Sequence, residues 1–363
     1  MHPYRVLSID GGGIRGLYSA TVLEGLKRRF SVRRNVASLD VGKGFDLIVG
    51  ASTGGILACA LAYGCSPARL MRLYRDAGPK IFCGERMPDE PRSLKFVAWA
   101  WKHRSRPIHG ADGLRQAIVE IFGAETLGSI YARRGIALCI PSVRLLNETP
   151  RVFKTGHLGS DFRRDDDLRV VDVCLATSAA PVFLPLAGLR ETPSGSEELF
   201  ADGGLWTNNP TPLGLIEALA STTPDREIVV VSVGTCPVPP GGNPASISRE
   251  RGLIAWKAGS KALELSMNAQ SRASQHFADR LVKELGRLGR RISVVRCHES
   301  PPPPDQACSL ALDNASSEAL GLLSSMGEND AAETYRWVQD PDDDRGRALC
   351  TVFETMPEKR ADE

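Results

Sequence analysis

An α/β fold, a mostly parallel sheet with helices on both faces, is what this sequence predicts, on three observations. About the first seventy residues alternate apolar runs with helix-like stretches. The runs Phe45-Asp46-Leu47-Ile48-Val49 and Ile228-Val229-Val230-Val231-Ser232-Val233 are apolar with little alternation, as strands covered on both faces require. Glycine-rich loops at 11–16 and 50–55 each stand between a strand-like and a helix-like stretch, the punctuation of successive βα units.

The elements follow in order. Tyr4–Ile9 reads as a strand, and 16–30 as a helix in which Leu17, Ala20, Leu23, Leu26 and Phe30 recur every three or four residues, one buried face. A strand at 45–49 and a helix at 54–63 come next, with further strands at 136–140, 228–233 and 292–295 and a final one at 348–353. Residues 1–338 read as a single domain, interrupted by a Pro-, Arg- and Trp-rich excursion at 84–110. Loops are expected at 237–252 and Pro301–Pro304, and 339–363, with its "DPDDDRGR", as a C-terminal surface segment.

At 363 residues the chain is ample for a buried core. Its 45 basic and 43 acidic residues leave a net charge of +2, which gives no global attraction to DNA, RNA or an anionic surface. The nine cysteines include no C-x-x-C pair; no export signal is expected at the N-terminus, and reduced thiols in a cytoplasmic protein are expected, with no metal site. Leu47 to Ala68 is 22 residues without a charge, nominally enough to span a bilayer. Gly50, Ser52, Thr53, Gly54 and Gly55 break it, so a strand, a tight turn and a buried helix are expected instead.

Three stretches carry chemistry. "DGGGIRG" contains G-x-G-x-x-G at Gly11, Gly13 and Gly16, which places backbone N–H donors at a helix N-terminus, suited to an anion. That anion is either a nucleotide pyrophosphate, with Asp40 as the acid expected about 20 residues on for a ribose, or a transient oxyanion. Gly50-Ala51-Ser52-Thr53-Gly54 is G-x-S-x-G between a strand and a helix. There a sharp turn projects the serine hydroxyl at the carboxyl end of the sheet; the alternative is a serine that only caps the helix. Asp202, after Leu199-Phe200-Ala201 and before Gly203-Gly204, ends a strand where it can act as a base, or hydrogen-bond its own turn. Of six histidines, His157 and His298 each follow a plausible strand, which leaves a histidine base open.

Together, Asp10–Gly16, Gly50–Gly54 and Asp202-Gly203-Gly204, in this order and spacing, resemble the patatin-like phospholipases, as do "ATSAAPVFLPL" at 176–186, "NNP" at 208–210 and "VVVSVGT" at 229–235. The resemblance covers residues 4–235 well. It implies a three-layer fold and a Ser–Asp dyad without histidine or cofactor. In it Ser52 attacks an ester carbonyl, Asp202 takes the proton, and the N–H groups of Gly11, Gly12 and Gly13 form the oxyanion hole. Arg15, Gly50, Gly54, Gly203 and Gly204 would support these groups.

The implied substrates are phospholipid esters, met peripherally at the inner membrane surface. Ser93–His103 is expected to form an interfacial lid helix, with Leu94, Val97, Ala98 and Trp101 on one face; a surface helix packed on the core is the alternative. Compact bacterial members of the family resemble anti-phage effectors switched on by cyclic dinucleotides, which makes such a nucleotide an expected partner. The basic pairs Arg133-Arg134 and Arg163-Arg164 are candidates for its phosphates. A homo-oligomer stays open, as do two other readings: a nucleotide-binding protein using Gly11–Gly16, and an inactive lipid-binding protein.

Overall fold

A computed structural model describes residues 2–85, 87–88, 93–159, 163–192, 195–237, 252, 256, 259–303 and 306–359. The loop expected at 237–252 lies almost wholly outside them. Strands are β1 (Tyr4–Ile9), β2 (Leu47–Gly50), β3 (Ala137–Arg144), β4 (Thr149–Lys154), β5 (Ala187–Leu189), β6 (Glu198–Asp202), β7 (Ile228–Val233) and β8 (Ile292–Arg296). The helices through the middle of the chain are α1 (Gly16–Arg33), α2 (Thr53–Tyr63), α3 (Pro67–Ile81), α4 (Leu94–Lys102), α5 (Asp112–Phe122), α6 (Leu127–Arg134) and α7 (Val170–Thr177). After them come α8 (Gly204–Thr207), α9 (Thr211–Ala220), α10 (Ser260–Arg287), α11 (Ser317–Arg336) and α12 (Asp344–Phe353).

The eight strands form one mixed sheet. β8, β7, β1, β2 and β3 pair in parallel, and β4, β5 and β6 join antiparallel. Alternate strand residues sort onto opposite faces. Leu7, Ile9, Ile48, Val229 and Val231 pack with α1, α2 and α12. Tyr4, Val6, Leu47, Val49 and Val230 pack with Leu215 and Ala218 of α9 and Leu281 and Val282 of α10. Three layers result, and the apolar, weakly alternating strands are those with helices over both faces. The uncharged stretch 47–68 divides into β2, a turn and α2, and no helix among the described residues is long and apolar enough to cross a membrane.

Residues 348–353 are not a strand. They are the last turns of α12, in which Ala348, Leu349, Val352 and Phe353 are buried. That spacing makes one helical face, and Phe353 stacks on Phe30 at 4.7 Å. Burying Leu349, Val352 and Phe353 contributes about 1.5–3 kcal/mol each, so this part of the expected surface segment is core. The long α10 lies over residues the sequence reading left without structure.

Candidate active site

Ser52 sits in the turn from β2 to α2 with φ 54° and ψ −126°. A non-glycine residue there costs about 1–3 kcal/mol and persists only where its surroundings hold it. The Ser52 N–H donates to Thr177 Oγ1 at 3.0 Å, and Thr177 Oγ1 donates in turn to the Pro141 carbonyl at 2.6 Å. A side chain at Gly50 would collide with the backbone of Gly54, and one at Gly54 with the carbonyls of Ile9 and Asp10, which is why glycine flanks the serine. Thr177→Val leaves the buried Ser52 N–H unpaired and is expected to cost about 1–3 kcal/mol, read as a lower urea midpoint with an unchanged m-value.

Asp202 reaches Ser52 by strand register. β2 pairs with Ala137–Cys139 of β3, and β6 pairs antiparallel with Ser142–Arg144. β4 holds the opposite edge of β3 across Cys139–Arg144. β2 and β6 therefore lie in line along one edge of β3, running toward each other, and their carboxyl ends meet beside Ile140 and Pro141. There Ser52 Oγ donates to Asp202 Oδ2 at 2.6 Å. Gly204 N–H donates to Asp202 Oδ1 at 2.6 Å, and a side chain at Gly203 would strike the Pro141 carbonyl. Burial pushes the Asp202 carboxyl up to about 6, against the opposing hydrogen bonds from Ser52 and Gly204.

Gly12 and Gly13 line the same cavity as Ser52 and Asp202. The Gly11 N–H is already donated to the Asn208 carbonyl at 2.9 Å, so Gly11 leaves the expected set of anion donors. Its role is close approach, since a side chain there would meet Asn208 and Ser52. Thr235 Oγ1 holds the Gly11 carbonyl at 2.9 Å, and Arg15, buried, points Nε at the Gly12 carbonyl at 3.4 Å. The cavity is about 80 Å³, walled by Ile56, Phe82, Phe183, Leu263, Met267 and Leu312 among others. That is narrow beside the roughly 300–1,000 Å³ of ordinary ligand cavities.

The patatin-like phospholipase family model matches residues 7–215, the stretch that holds the elbow, the glycine loop and the aspartate. The chain belongs to the patatin-like phospholipase family. A relative from Escherichia coli (strain TW11681) is 32% identical, over 89% of this chain and 87% of its own. One from Vibrio cholerae serotype O1 is 30% identical over 98% and 96%, and one from Pseudomonas aeruginosa (strain BWHPSA011 / Pa011) 34% over 93% and 90%. All three are named cGAMP-activated phospholipase.

Within this patatin-like chain the histidines and Asp40 lie away from the Ser52 cavity or are engaged elsewhere. His157 bonds Thr155 and Glu217, His109 bonds Asp313, and His298 packs on Trp337; none lines the cavity with Ser52. Asp40 is buried against Arg134 at 2.8 Å, committed to structure and not to a ribose. Of the basic pairs, Arg134 is buried against Asp40, while Arg133, Arg163 and Arg164 are exposed and pair with Glu125, Asp166 and Asp165, and none of the four lines either the Ser52 cavity or its polar neighbour. Thr177 and Asn208, which hold the serine turn and the glycine loop, were missed as site residues. Both lie in quoted family segments, but nothing in their spacing announces a hydrogen bond across the sheet.

Proposed function

We propose that this chain is a serine acyl hydrolase that cleaves phospholipid esters through Ser52 and Asp202. The hydrogen bond of 2.6 Å between Ser52 Oγ and Asp202 Oδ2, inside an apolar cavity, carries this reading. Asp202 Oδ2 accepts the Ser52 proton as Oγ attacks the ester carbonyl carbon. The carbonyl oxygen becomes an oxyanion facing the N–H groups of Gly12 and Gly13, which have no backbone acceptor among the described residues. The N-terminus of α2 adds its dipole. Collapse returns the proton from Asp202 to the departing lysophospholipid alkoxide and leaves an acyl-serine. Asp202 then takes a proton from water, whose oxygen attacks the acyl carbon, and Ser52 Oγ recovers that proton as the fatty acid departs. A carboxyl near 6 is ionised at neutral pH yet more basic than a free aspartate, an improved match to an alcohol.

The lipid surface is met by α4. Its Phe96 and Trp99 are buried against Phe183 and Leu312 of the catalytic wall. Leu94, Val97 and Trp101 are 89%, 53% and 69% exposed, so the face expected to be apolar points outward. An exposed apolar helix face with Lys95, Lys102 and Arg104 beside it suits a phospholipid interface. Leu94→Ser with Trp101→Ser is expected to weaken vesicle sedimentation and vesicle hydrolysis about tenfold or more, while hydrolysis of a soluble nitrophenyl ester persists; equal loss of both would count against docking.

Activation by a cyclic dinucleotide is supported by the names of the three bacterial relatives and by the constricted cavity. The deciding experiment is lipid mass spectrometry on mixed liposomes exposed to wild type and Ser52→Ala, each with and without cGAMP. Free fatty acid and lysophospholipid from wild type alone, increased by cGAMP, are the expected result. Lipid binding without hydrolysis would favour the inactive lipid-binding protein.

A further inference from the structure

We infer that the activating nucleotide binds in a second, polar cavity on the far side of the glycine loop, and that filling it draws Leu263 and Met267 of α10 out of the catalytic cavity. This rests on the reading that a cyclic dinucleotide activates the enzyme.

The second cavity measures about 620 Å³, within the usual range for small-molecule sites. Its carboxylates are already neutralised: Asp10 and Glu299 by Arg296 at 2.6 and 3.0 Å, and Glu264 by Lys261 at 2.9 Å. Arg15 and Arg272 face it without an ion pair among the described residues. Arg15 is only 7% exposed, and its two terminal nitrogens make no hydrogen bond there. Its free donors open onto the cavity, and phosphate is the group their planar fork suits. Two such guanidiniums match the two phosphodiesters of a cyclic dinucleotide. The carboxamide of Asn268, on the same wall and unbonded among the described residues, suits a base edge.

The two cavities share one wall. Leu263 and Met267 of α10 line the catalytic cavity, while Asn268 and Arg272, on the adjoining stripe of that helix, line the polar one. Met267 packs where a side chain on Gly204 would lie, and the Gly204 N–H holds Asp202. α10 is tied to the loops through Ser271 Oγ donating to Asp10 Oδ2 at 3.3 Å and through the Asn208 N–H donating to Gln270 at 2.8 Å. A nucleotide wedged between α10 and the glycine loop favours the arrangement with α10 lifted. Its differential affinity for that arrangement sets the extent of activation.

The test uses the full chain, cGAMP, liposomes and calorimetry. Wild type should bind cGAMP and gain about 5–150-fold in lipid hydrolysis. Arg272→Glu, at an exposed position, should keep its Tm, weaken cGAMP binding at least ~10-fold and lose activation, with Arg272→Lys intermediate. Met267→Ala should raise hydrolysis without nucleotide and reduce the gain on adding it. If wild type is activated while Arg272→Glu and Asn268→Ala bind cGAMP unchanged, the location is wrong and the activation reading survives. An unchanged nucleotide-free rate in Met267→Ala overturns the α10 coupling. No binding of cGAMP to wild type overturns both the site and the activation reading.

Discussion

Ser52→Ala is expected to lower ester hydrolysis by roughly 10⁴–10⁶-fold, the range for removing a serine nucleophile from a working site. The substitution keeps the Cβ, so the backbone at φ 54° meets no steric demand it does not already bear. The Ser52 N–H keeps its bond to Thr177, and unfolding should remain a single transition near the wild-type midpoint. Asp202 retains the Gly204 N–H but loses the hydroxyl donor that lowers its pKa. Phospholipid in vesicles and a soluble ester should fail together, because both need the same Oγ. A variant retaining a tenth of the wild-type rate on either would remove Ser52 from the chemistry.

Asp202→Asn should abolish hydrolysis by about three to four orders of magnitude, by analogy with loss of a catalytic carboxylate, and should also stabilise the fold at neutral pH. Burial raises the Asp202 carboxyl from 3.8 to about 6. Between those values the unfolded chain has released the proton and the folded one still holds it, so stability falls as pH rises through this window. Above about 6 the full cost is present, on the order of 3 kcal/mol. Asparagine carries no charge to desolvate, so the gain in midpoint over wild type should be largest near pH 7–8 and shrink toward pH 4. In wild type, kcat/KM should rise through about pH 6 to a plateau, as an ionised base demands. A midpoint difference that does not change between pH 4 and 8 would show that Asp202 is not held raised.

Much of this was legible in the sequence because the relevant forces are local. Ile228–Val233 favours a strand because five of its six side chains are β-branched, and Gly50 and Gly54 mark a turn that no larger residue could make. Residues 348–353 were misread because a short apolar run does not declare its period; Leu349, Val352 and Phe353 are neighbours on a helix. α10 went unread because few of its side chains are buried; its role comes from which loops it covers. Gly11 was assigned as a donor from its place in the motif, and only the Asn208 carbonyl, brought in from far along the chain, shows that its N–H is spent. Ser52 and Asp202 were legible as types in context, whereas their meeting depends on two strands sharing one edge of β3.

That shared edge sets what the chain can tolerate in the course of descent. The turn at 146–148 and the residues at 190–192 and 195–197 lie outside the pairing that aligns Ser52 with Asp202, so a change of length there would leave that pairing intact. Loss of a single residue within 198–201 is different. Whichever part of β6 is displaced shifts by one position against its partner and turns its side chains to the other face of the sheet, and Asp202 is lost from Ser52 if that part includes it. Variation in length is thus channelled into the turns, and the paired segments of β3 and β6 are confined to substitutions that keep their count.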